Sequence, residues 1–119
     1  MSADPQKRIR LRLKLKADIV MGPGKADVLR SIRDTGSISA AGRLTGMSYK
    51  RIWELVNRMN RDYREPLVET NTGGTHGGGA ALTPMGEKVL ATYEKIMTNT
   101  SRAINKEMSL LTRLANGNE

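Results

Sequence analysis

Gly36–Arg61 reads GSISAAGRLTGMSYKRIWELVNRMNR, and this stretch decides the fold. It divides into two short helices around a tight turn. Ser39 is placed to cap a first helix over Ala40 to Thr45, because a serine oxygen accepts from the orphan N–H groups of a first turn. Gly46 is the stop, since glycine enters the left-handed conformation without a Cβ clash. Ser48 then caps a second helix over Tyr49 to Arg61. Two helices joined by a short glycine-containing turn form a helix-turn-helix.

The second helix separates by face at 3.6 residues per turn. Ile52, Leu55, Val56 and Met59 fall on one side and form the expected core stripe. Lys50, Glu54, Asn57 and Arg61 point the other way. Arg51 and Arg58 flank one edge; Tyr49, Trp53 and Asn60 flank the other. Cations and amides suit phosphates and base edges: Lys or Arg with guanine, Asn with adenine. The competing reading is an ordinary solvated face. The capped helix in front and the basic charge of the chain favour nucleic acid. On this reading Tyr49 and Lys50 reach base edges, with Arg51 and Asn57 nearby, and Ser48 and Arg58 hold phosphates. Trp53 is expected to pack the helix flank.

GSISAAGRLTGMSYKRIWELVNRMN resembles the helix-turn-helix of the ModE family of molybdate-dependent transcriptional regulators, in which SYK opens the recognition helix and a Trp follows. The likeness continues through LVET (67–70), the run NTGGTHGGGAALT (71–83) and a long terminal helix, roughly Arg8 to Leu114. GSISAA alone would fit the wider LysR-like winged-helix group. The resemblance implies regulation of molybdate-uptake or molybdoenzyme genes. It also implies that molybdate is carried by further C-terminal domains. With the chain ending at Glu119, the expectation is DNA binding without molybdate and without any other cofactor.

Composition bounds the answer. At 119 residues the chain has the length of one domain, and with no Phe, one Trp and three Tyr its core is modest. Small domains gain most from burying surface in a dimer. Net charge is +8 and the sequence pI about 10.2, so an acidic polymer is the first partner to consider. Residues 1–64 hold 15 Lys/Arg and 6 Asp/Glu, net +9; residues 65–119 hold 5 and 6, net −1. The charge therefore sits with the reading half. There is no Cys, hence no disulfide framework or Cys-based metal site. No apolar run reaches membrane-span length, and the basic N-terminus lacks a secretory signal's apolar region. A cytoplasmic location is the expectation.

In chain order, residues 1–8 are polar and expected to fray. IRLRLKLK (9–16) alternates apolar and basic residues, the period of a half-buried strand. Its charges read first as protection of a sheet edge, and second as added phosphate contacts. Met21 to Gly24 is a turn, followed by a helix over Lys25 to Thr35 with Val28, Leu29 and Ile32 inward and Gly36 as stop. Leu67 to Thr70 and Ala81 to Thr83 are two strands around Asn71–Ala80, which holds five glycines. Strand, glycine loop, strand beside a helix-turn-helix is a wing. Glycines let backbone N–H groups approach phosphates. A nucleotide phosphate loop would need a Gly-Lys-Ser/Thr ending that opens a helix, and this loop has no lysine. Thr75 and His76 are the candidate wing contacts. His76, the sole His, makes a His-based metal site implausible and reads equally as an exposed side chain.

Thr83-Pro84 starts the last helix, expected to run unbroken to about Leu114. Leu90, Tyr93, Met97, Thr100, Ile104, Leu111 and Leu114 fit a 3/4 spacing, with Glu107 the one defect and Met108 partly filling that place. About thirty helical residues outreach a small domain, so this stripe is expected to meet a second copy of itself. The reading is thus mainly α with a small β component. Residues 1–83 are the winged helix-turn-helix domain, with an N-terminal strand and a two-stranded wing. Residues 84–119 are the C-terminal dimerisation helix and tail, one structural unit with it. Expected partners are double-stranded DNA and a second copy of the chain, with no membrane and no direct molybdate contact. The rival is a winged-helix protein-interaction module. An enzyme is disfavoured by the lack of a nucleophile–base pairing or metal-ligand spacing.

Overall fold

A computed structural model describes residues 9–71 and 79–117. The elements are β1 Leu13–Lys16, β2 Ile19–Met21, α1 Pro23–Thr35, α2 Ile38–Thr45, α3 Tyr49–Asp62, β3 Val68–Asn71, β4 Gly79–Leu82, α4 Pro84–Ala103 and α5 Asn105–Leu114. β1 and β2 form one antiparallel pair and β3 and β4 another.

The core is three-helical. Val28, Leu29 and Ile32 of α1, Ile38 and Ala41 of α2, and Ile52, Leu55, Val56 and Met59 of α3 are buried together. Both of the core-forming turns end on glycine in the left-handed region, Gly36 at φ 73° and Gly46 at φ 77°. Ser48 caps α3 as expected, its Oγ accepting from the Arg51 N–H at 3.0 Å. For α2 the cap is Ser37, not Ser39: the Ser37 Oγ accepts from the Ala40 N–H at 3.1 Å. The helix therefore starts two residues earlier, which turns Ile38 into the core. α1 also starts earlier, with Pro23 in its first turn and Gly22 as an extended N-cap lacking a side chain.

The alternating segment is not one strand from Ile9 to Lys16. Only Leu13–Lys16 is paired, folded back on Ile19–Met21 across Ala17-Asp18. The register slips between Lys14 and Lys16, so Leu15 is an unpaired bulge residue. That explains why Leu15 is half exposed while Leu11 and Leu13 pack on the core. The segment before the strand is tied down by Tyr93, whose hydroxyl donates to the Leu11 carbonyl at 2.7 Å.

The wing strands are present and shifted by a residue or two from expectation, with Val68 opposite Leu82 and Asn71 opposite Gly79. Their root is tied twice: the Ala80 N–H donates to the Gly36 carbonyl at 2.9 Å, and the Thr83 N–H to the Leu67 carbonyl at 3.0 Å. Thr83 caps α4 through the Gly86 N–H at 3.0 Å.

The terminal helix differs from expectation in two ways. It breaks at Ile104 (φ −106°, ψ 12°) into α4 and α5. No Gly or Pro causes this. The run Thr98-Asn99-Thr100-Ser101 with Ile104-Asn105 concentrates poor helix formers. Second, Leu90, Tyr93 and Met97 are not free to meet another copy. They are buried in this chain's own core, because α4 packs on α1 and β4. Ile104 is half-buried, and Leu111 is exposed on α5, which has no buried residue.

α4 approaches the chain before β3 so closely that Gly86 has no room for a side chain: a Cβ there would overlap the Leu67 carbonyl oxygen. The obstacle is backbone, so relief requires moving α4 or the wing root. Gly86→Ala should destabilise the fold by about 1–3 kcal/mol or more, read as a lower urea midpoint. An unchanged midpoint would show that the α4–Leu67 contact is not tight.

Candidate nucleic-acid interface

α3 carries the only outward face that the sequence marked for reading, and its neighbours fix how that face is presented. The buried stripe sets its rotation. Lys50, Glu54, Asn57 and Arg61 consequently point into solvent, and all four are exposed.

One edge of α3 is bound to the wing. Asn60 Oδ1 accepts from the Leu67 N–H at 2.8 Å and the Val68 N–H at 3.0 Å, while its Nδ2 donates to the Val68 carbonyl at 3.0 Å. The sequence reading put Asn60 on this edge without a role. Its role is to hold β3 against α3, satisfying backbone groups that would otherwise be stranded. Near the start of the same edge Trp53 packs against the core. Tyr49, 58% exposed, meets the Trp53 ring edge-on at 6.2 Å between centroids.

The other edge is bound to the β1–β2 hairpin. Arg58 Nη2 lies 3.3 Å from the Asp18 carboxylate and donates to the Asp18 carbonyl at 3.3 Å. Its Nε bonds Asp62 at 3.2 Å. Arg58 was expected to hold phosphate; its Nη2 is engaged in fastening the hairpin to α3, and its Nε bonds within α3. Arg51, on the same edge, has only a loose pairing with Glu54 at 3.7 Å.

Between hairpin and helix lies a polar recess lined by Arg12, Lys25, Arg51, Asn57, Arg58 and Arg61. Lys25 donates to the Val20 carbonyl at 2.8 Å. Its pKa is lowered by partial burial first and then by Arg58, Arg12 and Arg51, against an opposing pull from Asp62. Arg12 and Lys25 were not among the expected site residues. The alternation of IRLRLKLK was the available signal, but the sequence alone does not show that the strand folds beside α3.

Ser48, Tyr49, Lys50, Arg51 and Asn57 thus share one surface at and beyond the α3 N-terminus. Thr75 and His76 lie outside the described residues. The surface is open and cationic. It offers a protruding helix flanked by a hairpin on one side and the wing on the other.

Three core helices, a β-hairpin wing and an exposed cationic second helix of the motif make this a winged helix-turn-helix module, the type built to read duplex DNA. The chain belongs to the lysR family of bacterial regulatory helix-turn-helix proteins, whose signature matches residues 25–87. It is 41% identical over 100 residues to the transcriptional regulator ModE of Yersinia pestis, covering 84% of this chain and 38% of that one. It is 36% identical over 100 residues to the DNA-binding transcriptional dual regulator ModE of Escherichia coli, with the same coverage. The molybdenum-pterin-binding protein MopB of Rhodobacter capsulatus is 44% identical over 85 residues, 71% of this chain and 32% of that one. The ModE resemblance read from the sequence is borne out, over about a third of each relative's length. Among solved structures, the full-length LysR-type regulator LysG of Corynebacterium glutamicum superposes with a TM-score of 0.58 at 22% identity, over 78% of this chain and 30% of that one. A probable transcriptional regulator from Pseudomonas aeruginosa gives 0.52 at 20% identity, over 80% and 79%. These two establish the shared fold.

Ser48 combines two duties that substitution can separate. Its oxygen accepts the Arg51 N–H, and its O–H remains a donor. Ser48→Ala should cost about 1 kcal/mol of stability in chemical denaturation. Ser48→Asp should keep the cap and the stability while weakening DNA binding by charge repulsion. Undiminished binding by Ser48→Asp would remove Ser48 from the interface.

Proposed function

We propose that this chain is the DNA-reading part of a dimeric transcriptional regulator acting on molybdenum-related genes in the cytoplasm. The observation that carries the reading is the α3 face: Lys50, Asn57 and Arg61 exposed in a row that also holds Glu54, rotated outward by a buried opposite stripe. An α-helix fits the major groove, and these are side chains that bond base edges and phosphates. Lys50, with Tyr49, is placed to read bases; Ser48 and Arg51 flank them, with the wing on the backbone or minor groove. The molybdenum link rests on the names of the ModE and MopB relatives. Among the described residues no helix is long and apolar enough to cross a membrane.

The reading has a salt signature. Two copies neutralising roughly 6–10 phosphates should give a log–log slope of affinity against salt of about −5 to −9. Lys50→Ala should cost about 1–3 kcal/mol on the cognate duplex and less on random duplex. Equal losses on both would make Lys50 a phosphate contact. A slope near zero for the unaltered protein would favour the rival, a winged-helix protein-interaction module.

The exposed leucines of α5 support dimerisation. Leu110, Leu111 and Leu114 are 48%, 64% and 70% exposed on a helix without a buried residue. Ile104 and Met108, half-buried, border the same stripe. Such a surface is stabilised by pairing, and two copies would hold two recognition helices for two half-sites. Leu111→Asp with Leu114→Asp should convert dimers to monomers in sedimentation, since the seam would have to bury unpaired charges. Both positions are exposed in the single chain, so the fold should survive. A persistent dimer would place the seam elsewhere, foremost along the apolar groove between β1 and α4 lined by Leu13, Leu15, Met85, Val89 and Ile96.

A further inference from the structure

The hairpin is more than an edge cover, and its two faces show why. Leu13, Leu15 and Met21 line the apolar groove shared with α4. The opposite face carries Arg12 and Val20 into the polar recess beside α3, and Lys14 shares that face because it pairs directly with Val20 across the strands. Arg58, through Asp18, holds this face in line with the reading helix. The recess brings five cations, Arg12, Lys25, Arg51, Arg58 and Arg61, against two carboxylates, Asp18 and Glu54. Among the described residues, Arg12, Lys14 and Arg61 have no ion-pair partner. Arg12 and Lys14 are exposed. Edge protection needs charge on the strand; it does not need that charge gathered with the cations of α3.

We infer that the polar face of the β1–β2 hairpin is a second phosphate-binding element, with Arg12 and Lys14 gripping the DNA backbone on the side of α3 opposite the wing. This rests on the DNA-reading role proposed above and extends its footprint. A helix lying in a major groove has a phosphate backbone along each of its edges. The wing root occupies the Asn60 edge, and the hairpin occupies the Arg58 edge. A backbone running past that edge meets Arg12, Arg51 and Arg61 together. The contact is to phosphate and carries no sequence information.

The experiment is a fluorescence-anisotropy titration of the full chain with a cognate and a random duplex over a salt series, comparing the unaltered protein, Arg12→Ala/Lys14→Ala, Arg12→Lys/Lys14→Arg and Lys50→Ala. Each lost phosphate contact should reduce the salt slope by about 1. The alanine pair should therefore lower the slope by about 1–2 per chain and weaken both duplexes by the same factor. The charge-keeping pair should bind like the unaltered protein. Phosphate-ethylation interference should show fewer sensitive phosphates for the alanine pair, at one flank of each half-site. Circular dichroism and thermal midpoints of both pairs should match the unaltered protein. If the alanine pair leaves slope and affinity unchanged while Lys50→Ala loses cognate preference, the hairpin inference fails and the DNA-reading role stands. If the alanine pair weakens only the cognate duplex, the hairpin reads bases and the inference is again wrong. If the unaltered protein shows no salt-dependent binding to either duplex, the underlying role itself fails.

Discussion

Everything on the reading surface depends on one packing constraint, the burial of Ile52, Leu55, Val56 and Met59 beneath α3. In a helix each residue is turned about 100° from the last, so fixing four side chains inward fixes all the others. Fully burying a side chain of this kind is worth about 1.5–3 kcal/mol. The ion pairs on the α3 edges involve partly exposed groups and are worth about 0–1 kcal/mol each. The stripe therefore sets the rotation of α3, and the Arg58–Asp18 pair only trims the position of the hairpin beside it. Lys50, Asn57 and Arg61 face outward because they stand opposite this stripe.

The two flanking elements are attached by different physics. On the wing side, Asn60 supplies three hydrogen bonds to the backbone of Leu67 and Val68. These are short, partly buried and directional, and losing them strands backbone donors at about 1–3 kcal/mol. On the hairpin side, attachment combines the apolar face against α4, the Tyr93–Leu11 bond and the exposed Arg58–Asp18 pair. Burial raises the Tyr93 pKa, consistent with a hydroxyl committed to donating rather than ionising. The wing root is thus indexed to the reading helix by directional bonds, whereas the hairpin region is tied to three helices, through Tyr93 of α4, Lys25 of α1 and Arg58 of α3.

What was legible in the sequence was what local periodicity and capping determine. The 3.6 period of α3, Ser48 as cap, Gly36 and Gly46 as stops and Thr83-Pro84 as a start all depend on residues within one or two turns. The wing strands were legible too, because a glycine-rich run separates them. Most errors lie where distant chain decides; the α2 cap, Ser37 in place of Ser39, is a local one. Periodicity marked Leu90, Tyr93 and Met97 as an apolar stripe but does not say what covers it, and α1 and β4 cover it within the chain. A three-residue strand such as Ile19–Met21 carries too short a pattern to be seen. The bulge at Leu15 is invisible in a run that alternates without interruption. The break at Ile104 comes from weak helix formers rather than from a breaker. For the reading surface, the buried and outward faces of α3 were legible, but the partners of Arg58 and Asn60 were not. Arg12 and Lys25 were not, because only the folded hairpin brings them beside Arg51 and Arg61.

The central claim is that the outward face of α3 enters the major groove. Its most direct test is an amide chemical-shift titration of the isotopically labelled full chain with a cognate duplex. The account predicts the largest changes over Ser48–Arg61, with changes at Arg12–Lys14 and little change in the core residues of α1. Saturating DNA that leaves the α3 amides unmoved, and instead shifts the groove between β1 and α4, would contradict it.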